Sequence, residues 1–496
     1  LDIDINSLYR VGLSKQKASY MKNIADAFEN KLINDENFIM MNDEEILKQL
    51  TMIKGVGRWT AEMFLIFILF KTNIFSKGDF NGFNFDVGEK SFRYKLSNPE
   101  DTANRQSDLR SVFKKFLNDK GDVTDVKGYH KAMYAAENVD TIAQHFYEQG
   151  KADAIKDIAL KISEGEFADQ FPVEVFQSGS ATSTNMNVNE VIANLASTKS
   201  LDIHTNDDVN MGQSSNDVIP STIHIAATIA VRKNLLDALS HLQETLEMKA
   251  TSLSDIVKTG RTHLMDAMPV TFGQELRAWA NQIKAVAGQF DETLPKMEQL
   301  AIGGTAVGTG VNAHPDLAQT VIALLNQKTD IEFKSAPDLF MAISFQDVAL
   351  ELSANTRSLA VALTKISNDL RWMNSGPLAG LAEISLPMLQ PGSSIMPGKV
   401  NPVIPESATM VAAQVIGNDT TISLAAQSGN FQLNTMLPLI AHNLLQSISL
   451  LSNASRALAD KAIKDFTVNQ EEIDSVINRN PVLATALNSV IGYELG

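Results

Sequence analysis

The spacing of apolar residues predicts helices in the first and last parts of the chain. "SKQKASYMKNIADAF" (Ser14–Phe28) and "NDEEILKQLTMI" (Asn42–Ile53) place apolar side chains three or four residues apart, as on one face of a helix. Ser14 and either Asn42 or Asp43 are candidate N-caps. "DVIPSTIHIAATIAVRKNLLDALSHLQETLEMKATSLSDI" (Asp217–Ile256) keeps a helical period over about ten turns. Helices of this length typically form bundles.

The pattern changes between residues 80 and 156. "FNFDVGEKSFRYKL" (Phe83–Leu96) alternates apolar and polar residues, as in a short hairpin that turns at Gly88. "YHKAMYAAENVDTIAQHFYEQG" (Tyr129–Gly150) is again helical in its spacing. We therefore predict three segments: a small all-α segment over 1–79, a mixed segment of unknown role over 80–156, and a helical bundle over 157–496.

Composition and charge restrict the class of protein. The 496 residues carry a net charge of −16, a pI near 5.0 and a mean hydropathy of −0.06. This acidity argues against a protein that binds nucleic acid over its whole surface. The absence of cysteine excludes disulfides and thiolate sites, and the longest apolar run (Met63–Phe70) is too short to span a bilayer. The first residues, "LDIDINSLYR", lack a starting Met and a basic signal region, so we expect a fragment of a cytoplasmic protein.

Four loops of the third segment are rich in small hydroxyl, amide and glycine residues. They supply neutral donors, one histidine and one lysine, and they contain no cluster of His and carboxylate at metal-ligand spacing. Such a donor set suits a small anionic substrate and predicts no metal or organic cofactor, although helix capping would also explain any single loop. The loops are Gln177–Glu190, His204–Asp217, Thr259–Thr271 and Pro391–Pro402.

The fourth loop carries the most specific motif. "PGSSIMPGKVNP" contains two Pro-Gly pairs, which place it outside helices and central strands. With "TGRTHL" and "QSSND", this motif makes residues from about Leu160 to Gly496 resemble the fumarase/aspartase superfamily, and within it the class II fumarate hydratases. His263 in "TGRTHL" and Ser215 in "QSSND" favour that family over the alternative, aspartate ammonia-lyase. The fold class we expect is therefore mainly α, with a long-helix bundle of the fumarase/aspartase type.

The resemblance implies an enzyme, a hydro-lyase of the tricarboxylic acid cycle that reversibly dehydrates L-malate to fumarate without a cofactor. It implies a homotetramer in which each active site forms where three subunits meet. Ser393 would be the base that removes the C3 proton, and Lys399 and Asn401 would bind the substrate carboxylate. Serine needs a stabilised alkoxide to act as a base, so we expect backbone N–H groups of the glycine-rich turn and Lys399 to supply that stabilisation.

The resemblance also implies that His263 handles water on the other face of the substrate, with Glu406 as its partner. Further substrate contacts would come from residues that supply hydroxyl and amide groups, and a second dicarboxylate site would lie near the entrance. The substrate-binding set is Ser180, Thr182, Asn185, Ser214, Ser215, Asn216, Thr262, Lys399 and Asn401, and the second site is His204, Thr205, Asn206 and Asp207.

Three departures from the family pattern stand out. Ala181 occupies a position where the family usually has Gly, and Thr205 replaces the usual Pro of the entrance-site motif. The resemblance does not include the family's N-terminal domain, expected before Leu160, or its small C-terminal domain, expected after Gly496. We therefore expect the bundle to form but the hydratase to be weakened or inactive.

The first segment has a separate resemblance. "LTMIKGVGRWTAEMF" (Leu50–Phe64) reads as helix, Gly-x-Gly turn and helix, a turn whose backbone N–H groups suit a DNA phosphate. It resembles the helix-hairpin-helix DNA glycosylases of the alkyladenine type, with Gly55 and Gly57 in the hairpin and Asp79 as the residue that stabilises the sugar cation. DNA binding or base excision through 1–79 is thus the alternative from another class. The nearly balanced charge of the segment gives little attraction to DNA, and we expect it not to be a competent glycosylase.

Overall fold

The computed structural model describes residues 14–33, 37–38, 41–67, 82–87, 90–99, 101–102, 114–118, 122–482, 485 and 492. The chain divides into two compact units, Leu1–Asp153 and Ala154–Gly496. Each unit is considered by itself below. No helix of the described residues is long and apolar enough to cross a membrane.

The described residues of the first unit form helices and an antiparallel hairpin. The predicted helices near the N-terminus are confirmed, and Asn42 caps the second of them in a reciprocal capping box with Glu45. The predicted hairpin strands are also confirmed, because they pair antiparallel with Val87 opposite Lys90. The elements are α1 (Lys15–Glu29), α2 (Asp43–Thr51), α3 (Arg58–Phe67), β1 (Gly82–Val87), β2 (Lys90–Lys95), a 3-10 turn (Lys114–Phe116), α4 (Val126–Glu137) and α5 (Val139–Ser163), which continues into the second unit.

The turn between α2 and α3 has the form that the sequence predicts. Gly55 has a φ of +104°, and a Cβ at this position would lie 2.1 Å from Cδ1 of Tyr20. Only glycine therefore fits the turn without displacing the ring. Gly57 has open space around it, while Gly88 and Asp79 lie outside the described residues.

The second unit is a bundle of long helices, as the apolar spacing predicts. The predicted helix over Asp217–Ile256 forms as two α-helices joined by a π-helical turn whose first and last residues, Val231 and Leu235, are buried. The elements are α6 (Thr182–Ala196), a π turn (Thr205–Val209), α7 (Ser215–Ala230), a π turn (Val231–Leu235), α8 (Leu236–Ser252), β3 (Val257–Thr262), β4 (Met265–Thr271), α9 (Phe272–Met297), β5 (Gln299–Leu300), α10 (Leu317–Thr329), β6 (Lys334–Ser335), α11 (Leu339–Ser344), α12 (Asp347–Met373), β7 (Ile384–Ser385), α13 (Val403–Ala426), α14 (Leu437–Leu458), a π turn (Ala459–Ile463), β8 (Thr467–Val468) and α15 (Gln470–Ile477).

The bundle core explains why the long helices stay together. Helix α8 packs against α9, α12 against α13, and α13 against α14. Each contributes fully buried side chains to one continuous cluster, including Leu242, Phe290, Leu363 and Leu444. The inner faces of these helices are filled mainly by apolar side chains, and the candidate site residues lie at the helix ends and in the loops between them.

We expect Leu242→Ala to lower the free energy of unfolding by about 2–5 kcal/mol, because it removes a fully buried side chain and leaves a cavity. Met248→Ala on the same helix is the matched control. Its side chain is 66% exposed, so the expected change is within about 0.5 kcal/mol. Urea unfolding followed by circular dichroism measures both, and a similar change in the two variants would contradict the proposed core.

Candidate functional site

His263 lies in the turn of the β3–β4 hairpin. His263 and Leu264 form a two-residue turn with φ angles of 55° and 61°. A hairpin turn with positive φ at both central residues normally carries Asn and Gly, so this one holds two side chains in a sparsely populated backbone region. Strain of this kind is often found at functional sites. Thr262, His263 and Leu264 are all exposed in the single chain.

The loop that carries Ser393 closes on itself through its backbone. A Cβ on Gly392 would lie 2.1 Å from the carbonyl oxygen of Lys399. A side chain there would therefore collide with the backbone at the point where the two ends of the loop come together. Gly398 has a φ of +75°, which favours glycine for a different reason. Both glycines of the motif are therefore required by the backbone path.

Two backbone groups point at the Ser393 hydroxyl. The N–H groups of Ile395 and Met396 each donate to Ser393 Oγ over 3.3 Å. Donors in this arrangement stabilise negative charge on the oxygen more than they stabilise a neutral hydroxyl. The local geometry is therefore compatible with a serine that acts as a base.

Lys399 and Asn401 lie in the second half of the same loop. Lys399 Nζ donates to Asn401 Oδ1 over 3.0 Å, and Asn401 Nδ2 donates to the carbonyl of Gly392 over 3.2 Å. Both residues line a cavity of about 680 Å³, together with Glu406, Arg371 and other side chains. A cavity of this volume with a few polar groups has the dimensions of a small-molecule site.

A second polar cluster forms where the N-termini of α6 and α7 meet. The hydroxyl groups of Ser180, Thr182 and Ser215 form a chain, with 2.7 Å between the first two oxygens and 3.0 Å between the last two. Unpaired N–H groups at helix N-termini add partial positive charge to such a place, which favours an anion. Ala181, between the first two, has a φ of 57° and a ψ of 27°. This left-handed backbone explains why a glycine suits the position.

Neighbouring amide groups extend this cluster. Asn185 and Asn189 both donate to Oδ1 of Asn210, over 3.2 and 3.1 Å. Asn216 Nδ2 donates to the carbonyl of Ala306 over 2.8 Å, which ties the start of α7 to a glycine-rich loop.

Asp217 is a structural residue at this site that the sequence analysis did not single out. Its fully buried carboxylate accepts the N–H groups of Gly303 and Thr305, each over 2.9 Å, and that of Ser214 over 3.0 Å. Burial raises the pKa of this carboxyl, and the N–H bonds act in the opposite direction. The capping-box spacing from Ser214 to Asp217 is the sequence signal that could have identified it.

The predicted second dicarboxylate site is an exposed π-helical turn. His204 caps this turn, and its Nδ1 accepts the N–H of Asp207 over 3.1 Å. Thr205 lies within the turn, where the sequence pattern would have a proline. The turn places His204, Thr205, Asn206 and Asp207 together at the surface.

Comparisons with known proteins agree with these motifs. A family model described as Lyase matches residues 95–417. The chain is 57% identical to a class II fumarate hydratase of Pseudomonas aeruginosa over 69% of its own length and 75% of that protein, and 52% identical to one of Mycobacterium tuberculosis over 69% and 73%. Among solved structures, a class II fumarase from Schistosoma mansoni aligns with a TM-score of 0.68 and 38% identity, covering 70% of this chain and 77% of that one. A fumarate lyase from Brucella melitensis aligns with a TM-score of 0.67 and 36% identity, covering 84% and 91%.

The chain belongs to the class II fumarate hydratase family. The family is one of hydro-lyases, and the mainly helical fold predicted from the apolar spacing is confirmed. The match of the family model begins at residue 95, upstream of the boundary that we predict at 157, so the three-segment division stays a prediction. The comparisons give no support to a DNA glycosylase over 1–79.

Within one chain, the predicted site residues form three groups. These are the hydroxyl cluster, the His263 turn and the Ser393 loop with its cavity. Glu406 lines that cavity, and no hydrogen bond or ion pair among the residues that the structure describes joins it to His263. The pairing of His263 with Glu406 is thus not made within a single chain.

The Asp217 carboxylate is the feature whose structural role is easiest to test. We expect Asp217→Asn to lower the free energy of unfolding by about 1–3 kcal/mol, because a single amide oxygen cannot satisfy all the buried N–H groups. Asp291→Asn on the exposed face of α9 is the control and should leave stability unchanged. Urea unfolding measures the free energy of unfolding of both variants, and equal stability of the two would rule out the role given to Asp217.

Proposed function

We propose that the protein reversibly dehydrates L-malate to fumarate as a hydratase of the tricarboxylic acid cycle. The observation that carries this proposal is the Ser393 hydroxyl, which receives two backbone N–H groups in the same loop whose Lys399 and Asn401 line a cavity. The relatives named above support it, since their printed names describe this activity.

The chemistry begins with the C3 proton. Ser393, as an alkoxide held by its N–H donors, removes this proton, and the electrons of the C–H bond move into the adjacent carboxylate. The doubly charged aci-carboxylate that forms is neutralised by the Lys399 ammonium and the Asn401 amide. Because this charge exists mainly in the transition state, these donors accelerate the reaction as well as bind the substrate.

The second step breaks the C–O bond at C2. The electrons return from the aci-carboxylate to form the double bond, and the hydroxyl leaves as water after it takes a proton from His263. Glu406 holds the histidine in the required orientation. Ser180, Thr182, Asn185, Ser214, Ser215, Asn216 and Thr262 bind the substrate through hydroxyl and amide groups, and the turn over His204–Asp207 offers a second dicarboxylate site. No step requires a cofactor.

We further propose that the three groups of site residues meet in a homotetramer. This assembly accounts for the absence of a hydrogen bond or ion pair between His263 and Glu406 in the described part of one chain, and for apolar side chains such as Val361 and Leu424 that remain more than half exposed on the long helices α12 and α13. The cytoplasmic location remains a prediction from the sequence.

Two variants test the proposed roles directly. We expect Ser393→Ala and His263→Asn each to lower kcat for malate dehydration by about 10²–10⁴-fold, because each removes a proton-transfer group. The ultraviolet absorbance of fumarate follows the reaction, and ammonia release from aspartate is measured on the same samples. A faster reaction with aspartate would instead favour an ammonia-lyase.

Mixing these two inactive variants tests the shared site. If Ser393 and His263 of one site come from different subunits, random tetramers made by refolding an equal mixture should recover about a quarter of the sites. Each variant refolded alone is the control. A mixture as inactive as its components would place both residues of a site in the same chain.

The glycines of the Ser393 loop give another prediction. Gly392→Ala should lower kcat by at least about 100-fold, because its methyl group would collide with the Lys399 carbonyl and displace the base. Gly398→Ala adds only the strain of a left-handed alanine, about 1–2 kcal/mol, with nothing to collide with, and should have the smaller effect. The same absorbance assay ranks the two, and the reverse order would contradict this description of the loop.

A further inference from the structure

A buried group of charges lies beneath the hairpin that presents His263. Lys258 and Glu383 are 3% and 4% exposed, and Arg261 and Glu275 are their ion-pair partners. The two positive and two negative side chains balance one another. The group forms a single network, which is called the hairpin network below.

The contacts of the network come from several elements. Lys258 Nζ lies 2.8 Å from Glu275 on α9 and 2.8 Å from Glu383 Oε2, the latter without the angle of a hydrogen bond. It also donates to Sδ of Met373 at the end of α12. Arg261 donates to Glu383 Oε1 over 2.6 Å. Strand β3 is thus fixed to three parts of the bundle, and the central pair of this network, Lys258 and Glu383, is shielded from water.

Glu383 is a rigid anchor because its own backbone is held on both sides. Its N–H donates to the carbonyl of Met373 over 2.8 Å, and its carbonyl accepts the N–H of Asn469 over 2.9 Å. The preceding residue, Ala382, has a φ of 46°, a conformation that persists only when the surroundings fix it. Ala382 and Ile384 also line the cavity that contains Lys399 and Asn401.

His263, in contrast, has no hydrogen bond of its own in the described part of the chain, and it lies two residues beyond Arg261. The pairing of Thr262 with Met265 closes its turn, so the orientation of the turn follows that of strands β3 and β4. The direction of the imidazole therefore depends on how firmly β3 is held.

We infer that the Arg261–Glu383 pair is a positioning device for His263, which orients the imidazole relative to the bundle through the hairpin network. Arg261, Lys258 and Glu383 are positioning residues, since they act through the hairpin and do not contact the reacting atoms. The inference rests on the proposed function for the role of His263 in catalysis.

Four variants on this pair test the inference in the full-length protein. Glu383→Gln removes one charge with little change in shape, Arg261→Gln replaces the guanidinium with a shorter neutral amide, and Arg261→Lys and Glu383→Asp keep the charge. The matched control is Glu298→Gln, which breaks the partly buried pair between Glu298 and Arg232 at the far end of α9. Two quantities are measured: kcat and KM for malate, and hydrogen exchange of peptides that cover residues 257–271.

We expect Glu383→Gln and Arg261→Gln to lower kcat by about 10–100-fold with KM changed less than about threefold, because a displacement of the imidazole by about 1 Å costs catalysis more than binding. Hydrogen exchange over 257–271 should become faster in both. Arg261→Lys should recover at least part of kcat, and Glu298→Gln should leave kcat and this exchange at the wild-type level.

Three results would overturn the inference. They are unchanged exchange over 257–271 in both charge-removing variants, faster exchange with unchanged kcat, and equal effects in Glu298→Gln. If the charge-removing variants do not fold, kcat and hydrogen exchange over 257–271 are measured on Arg261→Lys and Glu383→Asp. The same directions of change are expected there, with smaller magnitudes, and the same three results would overturn the inference. If the wild-type chain does not dehydrate malate, the proposed function fails, and the exchange measurement alone then decides whether the pair holds the hairpin.

Discussion

Burial of one apolar face on each long helix is the constraint on which the rest of this structure depends. The side chains of α8, α9, α12, α13 and α14 form one continuous core, and fully buried residues such as Leu242 and Leu363 occupy it from end to end. A helix whose sides are filled with apolar contacts has polar backbone groups left over only at its ends. The functional groups of this protein are therefore found at helix termini and in the loops that connect them.

The helix ends show how structural and functional needs use the same atoms. Ser214 caps α7, and Asp217 three residues later accepts N–H groups from both α7 and the glycine-rich loop. The cap thereby fixes the place where Thr182 and Ser215 meet. A residue that satisfies buried backbone donors also sets the geometry of a candidate anion site.

Several of the non-glycine residues with positive φ lie in or beside the candidate site loops. Ala181, His263, Leu264 and Ala382 all have positive φ without being glycine, and each lies in or beside a loop of the candidate site. Such conformations cost free energy that the surrounding contacts have to offset. At the His263 turn the offset comes from buried ion pairs, whereas at the Ser393 loop glycines avoid the strain. The family resemblance of these loops and the strain in them thus point to the same places.

The sequence by itself determined the helices, the hairpin strands, the mainly α fold and the family, because apolar spacing and motifs such as "GSSIMPGKVNP" are local properties of the chain. It also predicted a cap at Asn42 or Asp43, of which the structure has Asn42, and the glycines that the Ser393 loop requires. Only the tertiary structure decided that no hydrogen bond or ion pair joins His263 to Glu406 among the described residues of one chain, and that Glu383 pairs with Arg261 from a position 122 residues away. No local pattern marks such a pair, since an ion pair between distant segments depends on how the helices pack. The π turn over Val231–Leu235 and the positive φ of Ala181 were likewise set by packing, which overrides the local preference of the residues involved.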